Sequence, residues 1–184
     1  VTGVQTCALP ICGMQVFMAD ASVDGPATQH TRFHFERRFL AATTSDRYMT
    51  LDDWVKRNSP DMSDLLLQMD IEGFEYEVLL AASDALLKRF RVIVGEFHQL
   101  DQLWNRLWFS PNGQVFEKHL QTYACVHLHP NNSPLLRRRG FCIPPLMEFT
   151  LLRRDRLIGE GFAEEFPYSL DSDSISGRSF DLPD

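Results

Sequence analysis

Three short apolar runs in this chain each stop on a carboxylate. Residues 15–20 end on Asp20, residues 65–70 on Asp70 and residues 91–96 on Glu96. Runs of this length, rich in Val, Ile, Leu and Met, read as buried strands, and strands carried on a continuous apolar run fit a parallel sheet with both faces covered. Between them lie stretches of helical periodicity. Thr50-Leu51-Asp52-Asp53 is a capping-box-like helix start, and Ser59-Pro60 a stop. After Gly73, residues 74–89 carry apolar positions at Val78, Leu79, Ala82, Leu86 and Leu87, the spacing of one helix face. Residues 111–122 repeat that pattern with Val115, Phe116 and Leu120. Phe33 and Phe35 alternate with polar neighbours as in a strand, and residues 123–128 and 146–152 supply two more. Strands alternating with helices predict an α/β chain with a mostly parallel sheet. The last strand follows its neighbour through a loop without a helix, so it is expected to run antiparallel.

In an open parallel sheet, ligands bind beyond the carboxyl ends of the strands. There the sequence gathers Asp20, Asp70, Glu72, Glu96 and His98, with His129, Asn131 and Asn132 after the fifth strand. Glu72 and Glu75 have a second reading: acids are favoured at the start of the following helix whatever the chemistry. Asp70, Glu96, His98 and His129 also carry donor atoms suited to a divalent metal, although no tight His spacing supports one. His30 and His34 read as surface residues. Trp54, Trp104 and Trp108 read as packing residues, the last two within reach of an acceptor pocket.

Charge excludes some partners. The net charge of −7 is concentrated after residue 159, where seven acids face the single Arg178. The body is close to neutral and shows no interleaved basic and aromatic groove, so nucleic acid is not expected. Arg137-Arg138-Arg139 reads as a solvated loop. No apolar run reaches the ~18 residues that span a bilayer, and no signal peptide opens the chain. A cytoplasmic location is the default expectation. Cys125 and Cys142 read as reduced thiols packed as small apolar residues.

Leu67-Gln68-Met69-Asp70-Ile71-Glu72-Gly73-Phe74-Glu75 resembles the (K/L)-x-D-(I/V)-E-G-x-E motif of the FkbM-type class I methyltransferases. Thr50-Leu51-Asp52-Asp53 is similar to the T-L-D-D that precedes it there. Val94-Gly95-Glu96-Phe97-His98 resembles the family's next strand, and His129-Pro130-Asn131-Asn132 the H-x-N-N segment of one branch. Order and spacing agree over roughly residues 13–158. The resemblance implies a Rossmann-like sheet that binds S-adenosylmethionine. Asp20 would hold the ribose hydroxyls with Ser22 beside it, and the strand at residues 31–36 would lead towards the adenine. Asp70 would stand near the transferred methyl group. Asp70, Glu96, His98 and His129 are the candidate bases for a hydroxyl acceptor on a sugar, glycan or small metabolite. The rival readings are a metal-dependent hydrolase built on the same acids and histidines, and a non-catalytic interaction module of the same fold.

The resemblance also implies a glycine-rich turn before Asp20, and none is present: Gly3 and Gly13 stand alone. Residues 1–11 resemble the translation of a sequencing adapter. The expected organisation is therefore a foreign segment at 1–12 and a methyltransferase-like domain at 13–158 without its first strand and cofactor loop. An acidic, mobile tail at 159–184 completes it. Such a fragment is expected to hold the cofactor poorly and to be weakly active at best.

Overall fold

The computed structural model describes residues 13–131, 136–138, 141–159, 161 and 171. The proposed foreign segment and most of the acidic tail lie outside these residues. The main sheet has four strands in the order β5 (Leu65–Met69), β6 (Phe90–Phe97), β10 (Met147–Arg153), β7 (Tyr123–Pro130). β5 and β6 are parallel, and β10 lies between β6 and β7, antiparallel to both. The last strand therefore runs as expected, and it takes an interior place in the sheet. The fold is mixed α/β.

A second sheet pairs β1 (Val16–Ala19) with β2 (Phe33–Glu36) in parallel. Phe39–Leu40 (β3) and Tyr48–Met49 (β4) form another short parallel pair. Arg38 explains the pairing, because its guanidinium donates to the Ser45 and Tyr48 carbonyls and draws that loop back on itself. Glu36, at the end of β2, accepts from Arg57 at 3.1 Å and so ties the small sheet to helix α1 (Leu51–Asn58). Thr50 caps α1 as its sequence predicts, accepting from Asp53 N–H at 3.1 Å.

The helix expected over 74–89 is two helices, α2 (Glu75–Ala81) and α3 (Asp84–Leu87). Ser83 breaks it: its hydroxyl accepts from Leu86 N–H as a new N-cap, while its own N–H and hydroxyl are held by Asp52 of α1. The periodicity still marked the core correctly, since Val78, Leu79, Ala82, Leu86 and Leu87 are all buried. Helix α4 (Arg106–Thr122) starts five residues before Pro111. Asn105 accepts from Leu107 N–H and provides the start, and Pro111 is accommodated inside the first turns. Arg137 and Arg138 lie in a strand, Leu136–Arg138 (β8), paired with Phe141–Ile143 (β9), and not in a loop.

Among the described residues, only one face of the main sheet is fully buried. Leu67 and Met69 of β5, Ile93 and Phe97 of β6 and Leu151 of β10 join the core with Tyr76, Val78 and Leu79 of α2 and Val115 of α4. The other face alternates with them and is polar towards the strand ends. Leu66 and Gln68 are exposed, and Val94, Glu96, Glu148, Thr150, His127 and His129 are half-buried. The expectation of strands apolar on both faces is corrected here. β5 and β6 carry the period-two burial of a half-open sheet, and the Leu66, Val92 and Val94 that made the run look continuous are not in the core. Cys125 is likewise a free thiol, but exposed and not packed.

Candidate functional site

Strand pairing aligns the chemistry in one row. Glu96 of β6 lies opposite Glu148 of β10, which lies opposite His129 of β7. Paired residues share a face, so all three point from the open side of the sheet. Asp70 extends the row one residue past the end of β5, and His98 does so past β6.

His98 is the centre of the cluster. Its Nε2 lies 3.4 Å from Glu72 Oε2, 3.9 Å from Glu96 Oε2 and 4.0 Å from Asp70 Oδ1. Its Nδ1 lies 3.3 Å from Glu75 Oε1. Four carboxylates thus surround one imidazole that is 12% exposed. His98 Nδ1, Asp70 Oδ1 and Glu75 Oε2 are cut off from solvent and lack hydrogen-bond partners among the described residues. Buried polar atoms without partners are costly in a finished fold and are expected where a ligand is to arrive.

The turn after β5 sets this geometry. Glu72 takes a left-handed conformation at φ 58°, rare for a residue with a side chain, and Gly73 follows at φ 99°. Glu75, fully buried at the start of α2, closes the turn. Its Oε1 accepts from Ile71 N–H at 2.8 Å and from Gly73 N–H at 3.3 Å. Glu75 therefore does more than favour a helix start: it braces the turn and faces His98. Glu72 does not cap the helix. Its side chain is 86% exposed and reaches back to His98. Sequence reasoning kept Glu75 out of the site residues, and only its place in the motif hinted otherwise.

His98 is fixed from behind. Tyr76 of α2 donates its phenol hydrogen to the His98 carbonyl at 2.7 Å. Burial pushes the Tyr76 phenol far above its usual range, with the Glu75 charge adding to the effect, so it stays a donor. Beneath it, the Tyr76, Phe97, Phe116 and Phe149 rings stack edge and tilt at 5.1–5.5 Å between Phe97 and each of its three neighbours. Gln99 then turns the chain at φ 61° and accepts from Trp108 Nε1 at 3.0 Å. Trp108 is thus partly buried beside the site, with its ring 5.1 Å from Tyr76.

Glu96 is held by Asn131, whose amide donates to its Oε1 at 3.2 Å. Burial raises the Glu96 carboxyl above its ordinary range, and the nearby Asp70 charge adds to the rise, against the hydrogen bond from Asn131. Asp70, Glu96 and His98 therefore meet as the sequence suggested, and Asn131 joins them. His129 lies along the same row but faces a different carboxylate, Asp171 at 3.7 Å. The possible metal donors divide accordingly. Asp70, Glu72 and His98 form one set of potential ligands, and His127, His129 and Asp171 another.

Asp20 stands just past β1. Ser22 donates both its N–H, at 2.7 Å, and its hydroxyl, at 2.6 Å, to Asp20 Oδ1. Ser22 thereby fixes the carboxylate in place. His34, expected at the surface, stacks on Phe17 and bonds Gln15 there.

The profile of the Methyltransferase FkbM domain matches residues 5–141 of this chain. That span takes in Asp20, the whole turn from Asp70 to Glu75, Glu96, His98 and His129. No curated protein and no solved structure gives a significant match. No helix among the described residues is long and apolar enough to cross a membrane.

Proposed function

We propose that this chain, which belongs to the FkbM methyltransferase domain family, uses S-adenosylmethionine to methylate a hydroxyl of a sugar or small metabolite, with His98 as the base. The observation that carries this reading is the ring of four carboxylates around a half-buried histidine at the strand ends. Family membership favours methyl transfer over hydrolysis as the use of these acids.

The residues present fit the cofactor's charged end. Bound S-adenosylmethionine supplies an electrophilic methyl group on a sulfonium cation. The partnerless Asp70 Oδ1 and its neighbouring acids make the surroundings favourable to such a cation. Asp20, with Oδ1 fixed by Ser22, is suited to accept from a pair of ribose hydroxyls.

His98 Nε2, with Glu72, Glu96 and Asp70 at 3.4–4.0 Å around it, would take the acceptor's hydroxyl proton. The imidazolium that results is stabilised by Asp70, Glu72 and Glu96 on one side and by Glu75 on the other. Glu75 sets a negative charge 3.3 Å from Nδ1, on the side of the ring away from Nε2. Glu96, its carboxyl raised by burial, can share or relay the proton.

The test is incubation with methyl-labelled S-adenosylmethionine and a panel of sugars and hydroxylated metabolites. Label in a methyl ether supports the reading; label only in amines or thiols would overturn it.

A further inference from the structure

A second cluster lies farther along the same sheet face, apart from the ring around His98. His127 and His129 are two residues apart on β7, opposite Thr150 and Glu148 of β10. Both imidazoles therefore leave the same face. Their rings are nearly parallel, at 13°, with centroids 6.4 Å apart. Asp171, distant in sequence, brings one carboxylate oxygen to each: Oδ1 lies 3.0 Å from His127 Nε2 and Oδ2 lies 3.7 Å from His129 Nδ1. The Asp171 side chain is 12% exposed. One donor atom from each of the three residues falls within 4.8 Å of the others.

From this geometry we infer that His127, His129 and Asp171 form a binding site for a divalent transition metal of the zinc class. Two imidazole nitrogens and one carboxylate oxygen are ligands zinc accepts, at about 2.0–2.2 Å each. Ligands at those distances around a tetrahedral ion stand roughly 3.3–3.5 Å from one another. One donor atom from each of the three residues lies within 4.8 Å of the others, near that spacing.

His129 Nδ1 adds an independent observation. It is shielded from solvent and has no hydrogen-bond partner among the described residues, although a carboxylate faces it. A coordinate bond would satisfy it. Glu148, paired with His129 across the strands, adds a neighbouring negative charge that favours a cation. The three protein ligands leave one position of a tetrahedral ion to water.

The test is titration of the metal-free 184-residue protein with Zn(II) by calorimetry, with cobalt(II) absorption reporting coordination. The expected result is one equivalent bound and a cobalt spectrum of four-coordinate type. His127→Asn, His129→Asn and Asp171→Asn should each weaken binding at least 10-fold, while His98→Asn leaves it unchanged. Zinc should raise the melting temperature of the wild type and not of the His127→Asn/His129→Asn double variant. No binding to the wild type would overturn the site. So would binding that survives in the double variant or disappears in His98→Asn, which would place the ion at Asp70, Glu72 and His98 instead. The wild-type cobalt spectrum decides the question if a variant fails to fold: six-coordinate, oxygen-only cobalt contradicts the site.

Discussion

Glu75 Oε1 lies 3.3 Å from His98 Nδ1 while the same oxygen accepts the N–H groups of Ile71 and Gly73. One buried carboxylate thus joins the turn after β5 to the histidine after β6. The fold of that turn and the orientation of the proposed base are not separable.

Removing this carboxylate leaves two backbone donors unsatisfied. Glu75→Ala is expected to cost about 2–3 kcal/mol in chemical denaturation. Glu75→Gln keeps a neutral acceptor and should recover a good part of that loss. A cost for Glu75→Ala under about 0.5 kcal/mol, the range of an ordinary surface change, would show that the brace is dispensable.

Gly73 permits the turn sterically. At φ 99° a side chain is strained, and a Cβ there would stand 3.1 Å from Gln99 Nε2. Gly73→Ala should destabilise the chain by about 1–2 kcal/mol. It should also disturb the Trp108 indole bonded to Gln99. Tryptophan fluorescence and a denaturation curve measure both effects; unchanged values would remove the requirement for glycine.

Burial raises the Glu96 carboxyl above its ordinary value of 4.5. A raised folded-state value means that the folded protein holds this proton more tightly than the unfolded chain does. The associated stability is fully present below pH 4.5 and is lost as pH rises through the folded value. Glu96→Gln should therefore melt at a higher temperature than the wild type at neutral pH, with the gap closing in acid. A variant less stable at neutral pH would contradict this account of Glu96.

His119 has the opposite sign. It is buried in α4 with Nδ1 2.7 Å from the Val115 carbonyl, and burial lowers it below its ordinary 6.5. The folded state prefers the neutral ring. That contribution is present above pH 6.5 and is lost as pH falls through the lowered folded value. Melting temperatures between neutral pH and about pH 5 should fall less steeply in His119→Gln than in the wild type. Parallel slopes would assign the acid sensitivity to other groups.

Local rules made much of this legible. Thr50 and its acids marked α1, and the acids ending residues 65–70 and 91–96 marked the site, because capping and strand-end chemistry depend on near neighbours. Much of what escaped depended on contacts distant in sequence. Asp52 reaches Ser83 and splits a helix that periodicity alone joins. Asn105 starts α4 ahead of a proline that looked like its beginning. Val92 and Val94 read as core, yet they line a half-open face, since an apolar run does not say how many faces are covered. Glu75 looked like an ordinary helix-start acid until the fold set His98 against it. Nothing in the sequence linked Asp171 to His127.

The most direct test of the central claim is the turnover of His98→Gln against the wild type. It is measured as S-adenosylhomocysteine formed at saturating S-adenosylmethionine with a hydroxyl acceptor. Loss of a positioned base should reduce the rate by about 10²–10⁴-fold, with the variant's fold verified by its melting curve. A His98→Gln chain that turns over as fast as the wild type would contradict the claim.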